Sequence, residues 1–430
     1  MGRKKLTKIL NVYLNNILVG QLSKNSSGLI SFQYDQEWLI EGMAISHSMP
    51  LTESEYKGEV VSRYFDNLLP DNEEIKKNVA TKFGAESIRA FDMLEVIGRE
   101  CVGALTFLPE GLRPSEQFKI SANPISDIEI ANKLKGLSGA TPLGMDQTDF
   151  RISIAGAQEK TALLKIKGKW HEPIGLTPTT HILKTSIGAM GVNLNFSDSV
   201  DNEWFCLHLL KQLGLPTCNA DIEIFGGEKV LVVERFDRVW KKMNNQDILI
   251  RIPQEDMCQA MGTSPYQKYQ NEGGPGIVEI SDFLKSSKEF SDRFNFFKAI
   301  LIFDLLYATD GHAKNFSIFL QPDGFKLTPF YDVMSGYFLH KREKVPLEKL
   351  KLAMKVGNTG HYAFKRISLK HYQETARLCG LSVAQFDQIY TEIKEQVFDL
   401  KIDKKKLDKN LNMKTADIIL EGIRKRSKIL

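Results

Sequence analysis

The residues with the clearest chemical potential are Asp310, Asn315 five positions later, and a second carboxylate, Asp332, further along the chain. Phosphoryl transfer requires such a set: one carboxylate accepts or orients the attacking hydroxyl, while a carboxamide and a second carboxylate hold Mg²⁺. The order of the three residues and the spacing of the first two therefore predict Asp310 as catalytic base. They predict Asn315 and Asp332 as metal ligands.

Two elements must bring these side chains together. Residues 294–308 (FNFFKAILIFDLLYA) are apolar on most sides, which predicts a buried helix that ends just before Asp310. A strand is expected over 316–320, and the QPDG turn signal at 321–324 sends the chain back toward Asp332. The alternative is local: an aspartate and an asparagine in a loop often only hydrogen-bond the nearby backbone.

Other residues could complete a nucleotide site. Lys184 ends an apolar strand predicted over 180–184, where a lysine would meet phosphates, and Glu203 on the next predicted helix would be its acidic partner. The ordinary alternatives are a solvated strand end and a first-turn glutamate favoured by the helix dipole. Residues 234–237 (ERFD) follow a predicted strand, either as a hinge whose backbone contacts adenine or as a surface ion pair.

A segment of small residues and one histidine could also belong to a phosphate or metal site. Within residues 151–161 (RISIAGAQEKT), the small residues 155–157 would let the backbone approach phosphates, although the segment fits neither common glycine-rich phosphate pattern. His312 could suggest hydrolysis by an Asp-His metal site. The chain has only eight histidines and no H-x-H or H-E-x-x-H, which disfavours that reading.

Composition narrows the class of protein. A chain of 430 residues, 42% hydrophobic and 26% charged, is expected to form two or three packed domains. No run approaches the roughly 18 apolar residues of a membrane span. Five scattered cysteines without a C-x-x-C pair indicate free thiols in a reducing cytoplasm. The net charge is +4, and the basic stretches at 401–406 and 424–428 are either solvated helix faces or phosphate-contacting patches.

The pattern along the chain predicts an α+β protein. The first hundred residues are β-rich, with a hairpin that turns at Asn15-Asn16, and three prolines mark a linker over 109–128. Helices are predicted over 201–213 and 383–400. We expect a β-rich subdomain at 1–110, a linker with a helical segment at 111–148, a segment of mixed strands and helices at 149–285 and an all-helical segment at 286–430.

Long motifs in one order resemble the HipA family of bacterial serine/threonine kinase toxins. They are FDNLLPDNE (65–73), FDMLEVIGRECVGAL (91–105), FRISIAGAQEKTALL (150–164), PTTHILK (178–184), VDNEWFC (200–206), VERFDR (233–238), RIPQEDMCQAMG (251–262), NEGGPGI (271–277), ATDGHAKNFS (308–317) and LTPFYDV (327–333). The similarity runs over nearly the whole chain.

The resemblance implies an atypical two-lobed kinase fold that uses ATP and Mg²⁺, with Asp310 catalytic, Asn315 and Asp332 on magnesium, and Lys184 on phosphate. Residues 149–285 would be the N-lobe of that fold and residues 286–430 its C-lobe. It also implies that Ser153 is autophosphorylated, which switches the enzyme off. Nucleotide contacts are expected at Ala155, Gly156, Ala157, Gln158, Glu159, Lys160, Glu234, Arg235, Phe236, His312, Ala313, Lys314 and Tyr331.

The resemblance further implies partners. These are glutamyl-tRNA synthetase as the protein substrate, whose phosphorylation induces dormancy, and a dimer of a HipB-like antitoxin, which with this chain represses operator DNA. No membrane partner is implied, and the expected location is cytoplasmic. Two alternatives stay open at this point: a small-molecule phosphotransferase similar to aminoglycoside or choline kinases, and a DNA-bound corepressor with a vestigial kinase site.

Overall fold

The computed structural model describes residues 7–114, 118–137, 152–153, 160–190, 194–398 and 402–429. The described chain forms two compact units that alternate along the sequence. The first comprises Met1–Leu183, Arg235–Tyr266 and Ile318–Gly324, and the second comprises Lys184–Glu234, Gln267–Ser317 and Phe325–Leu430. The domain boundaries expected from the sequence, at 110, 148 and 285, stay a prediction.

The secondary structure is mixed, as the predicted α+β class requires. The strands are β1 (Lys8–Leu14), β2 (Ile17–Lys24), β3 (Ile30–Tyr34), β4 (Tyr56–Lys57), β5 (Glu100–Cys101), β6 (Leu105–Pro109), β7 (Ala122–Pro124), β8 (Ile152–Ser153), β9 (Lys160–Ile166), β10 (Lys169–Pro173), β11 (His181–Thr185), β12 (Ala189–Met190), β13 (Leu194–Asn195), β14 (Ala220–Phe225), β15 (Glu228–Glu234), β16 (Arg238–Met243), β17 (Gln246–Arg251), β18 (Gln254–Asp256), β19 (Ser317–Gln321), β20 (Gly324–Leu327), β21 (Lys351–Val356) and β22 (His361–Ala363). The helices are α1 (Gln36–Glu41), α2 (Glu59–Asp66), α3 (Glu73–Phe83), α4 (Ala90–Ile97), α5 (Asp127–Leu137), α6 (Ser199–Gln212), α7 (Met257–Ala260), α8 (Ile277–Phe283), α9 (Asp292–Leu305), α10 (Tyr337–Arg342), α11 (Leu369–Leu378), α12 (Val383–Phe398) and α13 (Met413–Arg426).

The first unit opens with an antiparallel sheet in the order β4-β3-β2-β1-β6. The predicted hairpin is confirmed: Asn15 and Asn16 have φ of 48° and 70°, the left-handed values that a tight hairpin turn needs. The sheet packs an aromatic core against α2, where the Phe65 ring lies 5.8 Å from Phe32 and 5.7 Å from Phe107. Later in this unit β10 pairs with β7 and β9, and β16 pairs with β17.

The second unit is mainly helical around α9. This helix is buried along most of its length, which explains why its sequence is apolar on most sides. The sequence placed it over 294–308, but it ends at Leu305, because Tyr307 adopts a left-handed φ of 53°. Arg426 of α13 donates to the buried Asp304 carboxylate of α9 at 2.7 and 2.8 Å. The strands β21 and β22 accompany these helices, so this part of the chain is not exclusively helical.

Candidate active site

The second unit begins with a buried lysine, Lys184. Lys184 lies near the end of β11, and its Nζ donates to Glu203 Oε1 at 2.7 Å and to Asp332 Oδ1 at 3.0 Å. Burial alone would lower the pKa of the Lys184 ammonium, but the carboxylates of Asp332 and Glu203 outweigh burial and hold that pKa above its usual range. The lysine is therefore a fixed positive charge in a buried position.

Glu203 comes from α6, a helix whose residues are nearly all buried. The sequence predicted this helix over 201–213, and Gly214 at φ 79° followed by Pro216 ends it as expected. Since the Glu203 side chain is only 2% exposed, its carboxylate is directed at Lys184 rather than at solvent. The predicted lysine–glutamate pair is therefore present. Glu203 is the fifth residue of α6, beyond the first turn in which the helix dipole would favour a carboxylate.

The loop after α9 holds Asp310 and Asn315 in a compact turn. The His312 N–H donates to the Asp310 carbonyl at 2.8 Å, and a single 3₁₀ turn spans Ala313–Asn315. The Asn315 Nδ2 donates to the same carbonyl at 2.6 Å. Gly311 is required here, because a Cβ would lie 2.6 Å from the Phe303 ring. The five-residue spacing therefore has a structural cause, since Asn315 closes the loop that Asp310 opens.

Asp332 returns to this loop after β19 and β20. The Thr328 N–H donates to the Ser317 carbonyl at 2.9 Å, and the Tyr331 hydroxyl donates to the Lys314 carbonyl, also at 2.9 Å. Both bonds join the stretch that leads to Asp332 to the stretch around Asn315. Asp332 itself has a left-handed φ of 57°, an uncommon conformation for a residue other than glycine and one that clusters at functional sites.

The Asp310 side chain is partly exposed and has a hydrogen-bond partner outside its own loop. It is 48% exposed, and its Oδ1 accepts a hydrogen bond from the Tyr269 hydroxyl. The buried His312 places Nε2 at 3.7 Å from the same oxygen, and its ring meets the Tyr269 ring edge-on with centroids 4.9 Å apart. An exposed carboxylate with a fixed orientation is what a general base for an incoming hydroxyl needs.

These residues fit a magnesium nucleotide. Because Asn315 Nδ2 already donates to a carbonyl, its Oδ1 is the amide atom left to face a cation. The Asp332 side chain is about one-third exposed, so one of its carboxylate oxygens can face a cation. Mg²⁺ commonly takes one or two protein carboxylates together with substrate phosphates and water. Asn315 and Asp332 would hold the ion, and Lys184 would contact phosphate oxygens.

Two family comparisons cover most of the chain. The HipA N-terminal domain matches residues 10–108, and the HipA-like C-terminal domain matches residues 152–400, more than half of the sequence. This chain belongs to the HipA family. The HipA assignment agrees with the motifs and with the kinase-like set of residues that the second unit brings together.

Individual relatives support the same assignment. The Y4mE protein of Sinorhizobium fredii is 31% identical over 357 residues, which cover 81% of each chain. The serine/threonine-protein kinase toxin HipA of Shewanella oneidensis is 28% identical over 391 residues, 88% of this chain and 84% of the relative. The solved complex of Shewanella HipA, HipB and operator DNA contains a chain of the same fold, with a TM-score of 0.77, 24% identity, and coverage of 97% and 96%.

Residues 234–236 were predicted as the hinge that contacts adenine. Arg235 of this segment belongs to a buried network of ion pairs in the first unit. The Arg235 guanidinium donates to Glu100 at 3.1 Å and to Asp237 at 2.8 and 3.0 Å, and Arg238 and Arg251 also bind Glu100. Burial would raise the pKa of the Glu100 carboxyl, but the three guanidiniums hold it well below its usual range. The Arg235 side chain therefore has a structural role, and the surface ion pair considered as an alternative is in fact buried.

The other two predicted hinge residues, Glu234 and Phe236, make contacts of other kinds. Glu234 ends β15 in an exposed position and accepts from Asn219 Nδ2 at 2.9 Å. Phe236 packs its ring edge-on against Phe319 at 5.6 Å. Contact between adenine and this segment stays a prediction.

The predicted phosphate-binding loop lies mostly outside the described residues. Ala155, Gly156, Ala157, Gln158 and Glu159 belong to the undescribed stretch 154–159, while Lys160 begins β9 and is buried. The backbone of Ser153 is described: β8 runs parallel to β5, with Ser153 paired to Cys101. Autophosphorylation of Ser153 and the loop contacts stay predictions.

Sequence reasoning missed Tyr269, which touches the predicted base. The one signal available was its place beside the matched segment at 271–277, where a glycine-rich sequence follows a tyrosine. Among the other predicted contacts, His312, Ala313 and Lys314 lie in the loop with Asn315, and Tyr331 is tied to that loop by its hydroxyl.

Proposed function

We propose that this chain is a Mg²⁺-dependent kinase that transfers the γ-phosphate of ATP to serine or threonine hydroxyls of a protein. The observation that carries the proposal is Lys184, held between Glu203 and Asp332 at 2.7 and 3.0 Å. Asp332 is in turn connected to the loop of Asp310 and Asn315. Family membership supports the proposal, since the Shewanella relative is named a serine/threonine-protein kinase toxin.

Each side chain has one task in this proposal. The Lys184 ammonium binds phosphate oxygens and neutralises part of their charge. Asp310 accepts a hydrogen bond from the acceptor hydroxyl. It then takes the proton as the hydroxyl oxygen bonds to the γ-phosphorus, while the bond from that phosphorus to the β–γ bridging oxygen breaks and ADP leaves. Asn315 and Asp332 hold Mg²⁺, which, when bound, offsets the charge on the phosphates.

Autophosphorylation of Ser153 would regulate this activity. The modification adds close to two negative charges, one residue before the stretch 154–159 in which ATP phosphates are expected to bind. Like-charge repulsion would then weaken ATP binding and switch the kinase off.

The proposed biological role is that of a toxin paired with a HipB-like antitoxin dimer. The solved Shewanella complex holds HipA with HipB and operator DNA, which supports an antitoxin partner, a corepressor role and contact with operator DNA. We propose glutamyl-tRNA synthetase as substrate, with arrest of translation and dormancy as the outcome, in the cytoplasm. In the described part of the chain, no helix is long and apolar enough to span a bilayer.

The test is a labelling experiment with the full chain. The wild type and an Asp310→Asn variant are incubated with γ-labelled ATP, Mg²⁺ and a bacterial lysate, and in parallel with purified glutamyl-tRNA synthetase. Label on serine or threonine residues of a protein, present with wild type and absent with the variant, is expected. Label found only on metabolites would instead indicate a small-molecule phosphotransferase, and absence of Mg²⁺-dependent ATP binding would indicate a corepressor with a vestigial site.

A further inference from the structure

Tyr269 contacts the predicted catalytic base Asp310, and the inference drawn from this contact rests on the proposed function. Its hydroxyl donates a hydrogen bond to Asp310 Oδ1, and its ring lies edge-on against His312. In the described residues, Asp310 Oδ2 accepts no hydrogen bond, while half of the side chain faces solvent. Tyr269 thus fixes one carboxylate oxygen and leaves the other available.

The segment around Tyr269 is built to hold it in place. Its carbonyl accepts from the N–H groups of Glu272 and Gly274, each at 3.0 Å. On one side the Lys268 carbonyl accepts from the Ala313 N–H of the Asp310 loop at 3.3 Å. On the other, Gln270 Oε1 accepts from the Lys355 N–H of β21 at 2.8 Å. Tyr269 is therefore bonded on both sides to parts of the same unit.

The glycines of this segment are needed for that geometry. A Cβ on Gly274 would lie 2.1 Å from the backbone carbonyl oxygen of Gln267. One on Gly276 would lie 1.9 Å from the side-chain nitrogen of Gln270 and would displace the side chain that bonds to the Lys355 N–H. Gly273 has a φ of 99°, which side chains other than hydrogen rarely allow. The sequence QNEGGPG therefore makes a tight loop that delivers the tyrosine hydroxyl to one position.

We propose that Tyr269 is a positioning residue that sets the orientation of the Asp310 carboxylate for the acceptor hydroxyl. It does not bind ATP or Mg²⁺ and transfers no proton. By occupying Oδ1, it selects the rotamer in which Oδ2 faces the acceptor. A kinase without this bond binds its nucleotide normally but seldom presents the base in a productive geometry.

The test compares Tyr269→Phe with Tyr266→Phe. Phenylalanine keeps the ring on His312 and removes only the hydroxyl. Tyr266 lies three residues away, is 55% exposed, and its hydroxyl makes no hydrogen bond in the described chain, so it controls for the loss of a phenol. We expect Tyr269→Phe to lower kcat roughly 10- to 100-fold, the range of one hydrogen bond to a charged group. KM for ATP and the melting temperature should stay unchanged, and Tyr266→Phe should match wild type.

A rescue experiment separates this role from packing. Replacement of Tyr269 by 4-aminophenylalanine keeps an N–H donor at the same ring position and should return kcat to within about threefold of wild type. The inference is overturned if Tyr269→Phe has the same kcat as wild type, or if it loses ATP affinity and kcat to the same degree. It is also overturned if 4-aminophenylalanine does not restore kcat. Failure of the proposed function looks different: wild type would then transfer no phosphate, or Asp310→Asn would remain active.

Discussion

Substitution Lys184→Met separates the structural and chemical roles of this lysine. The side chains of Lys184 and Glu203 are 9% and 2% exposed, and their charged atoms are 2.7 Å apart. Removing the ammonium leaves the Glu203 carboxylate in a buried site without its nearest cation. Breaking one partner of a buried pair costs about 3–5 kcal/mol of unfolding free energy, so we expect a loss of that size.

The double variant Lys184→Met, Glu203→Gln should recover part of that stability. A neutral amide no longer needs a buried cation, and coupled neighbours typically show interaction energies of about 0.5–3 kcal/mol. ATP binding should not recover, because the phosphate-binding charge is still absent. Adding Glu203→Gln to Lys184→Met would thus raise stability without restoring nucleotide binding.

The assay is urea unfolding followed by circular dichroism, with ATP binding measured by calorimetry. Lys365→Met is the matched control: Lys365 pairs with Glu348 at 2.6 Å, but their side chains are 66% and 56% exposed. An exposed pair contributes at most about 1 kcal/mol. The reasoning is refuted if Lys184→Met costs no more than the control, or if the double variant is less stable than Lys184→Met alone.

Three further predictions address catalysis, pH and regulation. Asp310→Asn should lower phosphate transfer at least about 100-fold in a radiolabel assay while ATP affinity is kept, since loss of a general base typically costs roughly 10²–10⁴-fold. Burial of Glu255 outweighs the hydrogen bonds from His47 N–H and Ser46 and raises its carboxyl pKa to about 8 from the ordinary 4.5. The folded state thus holds this proton more tightly, so the free energy of unfolding should fall, by a few kcal/mol in order of magnitude, as pH rises from about 4.5 to about 8. Urea titrations across that range should show that the free energy of unfolding of Glu255→Gln depends less on pH than that of the wild type. An equal dependence on pH would contradict the raised pKa of Glu255. Ser153→Asp should weaken ATP binding in calorimetry relative to Ser153→Ala, and full ATP affinity and activity in Ser153→Asp would disprove autoinhibition by charge.

Local patterns were enough to predict much of the fold. The hairpin at Asn15–Asn16 depends on two residues that tolerate positive φ, and the structure places both there. The buried helix α9 was recognisable because nearly every side of it is apolar. Its end was placed too late, since apolar residues continue to Ala308 and the left-handed turn at Tyr307 has no sequence signal.

Contacts between residues far apart in the sequence could not be predicted. Glu100 is 135 positions from Arg235, and Tyr269 is 41 positions from Asp310, so neither contact follows from spacing. The D-x-x-x-x-N spacing has a local cause, because the Asn315 amide donates to the Asp310 carbonyl within one loop, and the role of Asn315 as a metal ligand stays a prediction. Asp332 was placed correctly beside that loop because a predicted hairpin returns the chain there.

The central claim is that Asp310, Asn315 and Asp332 serve one metal–nucleotide site. The most direct measurement is a crystal structure of the full chain with Mn²⁺ and a non-hydrolysable ATP analogue, using the anomalous signal of the metal. We predict a Mn²⁺ peak bonded to Asn315 Oδ1 and to an Asp332 carboxylate oxygen, with the γ-phosphate facing Asp310 and a phosphate oxygen on Lys184. A nucleotide and metal bound elsewhere, with these side chains untouched, would contradict the account.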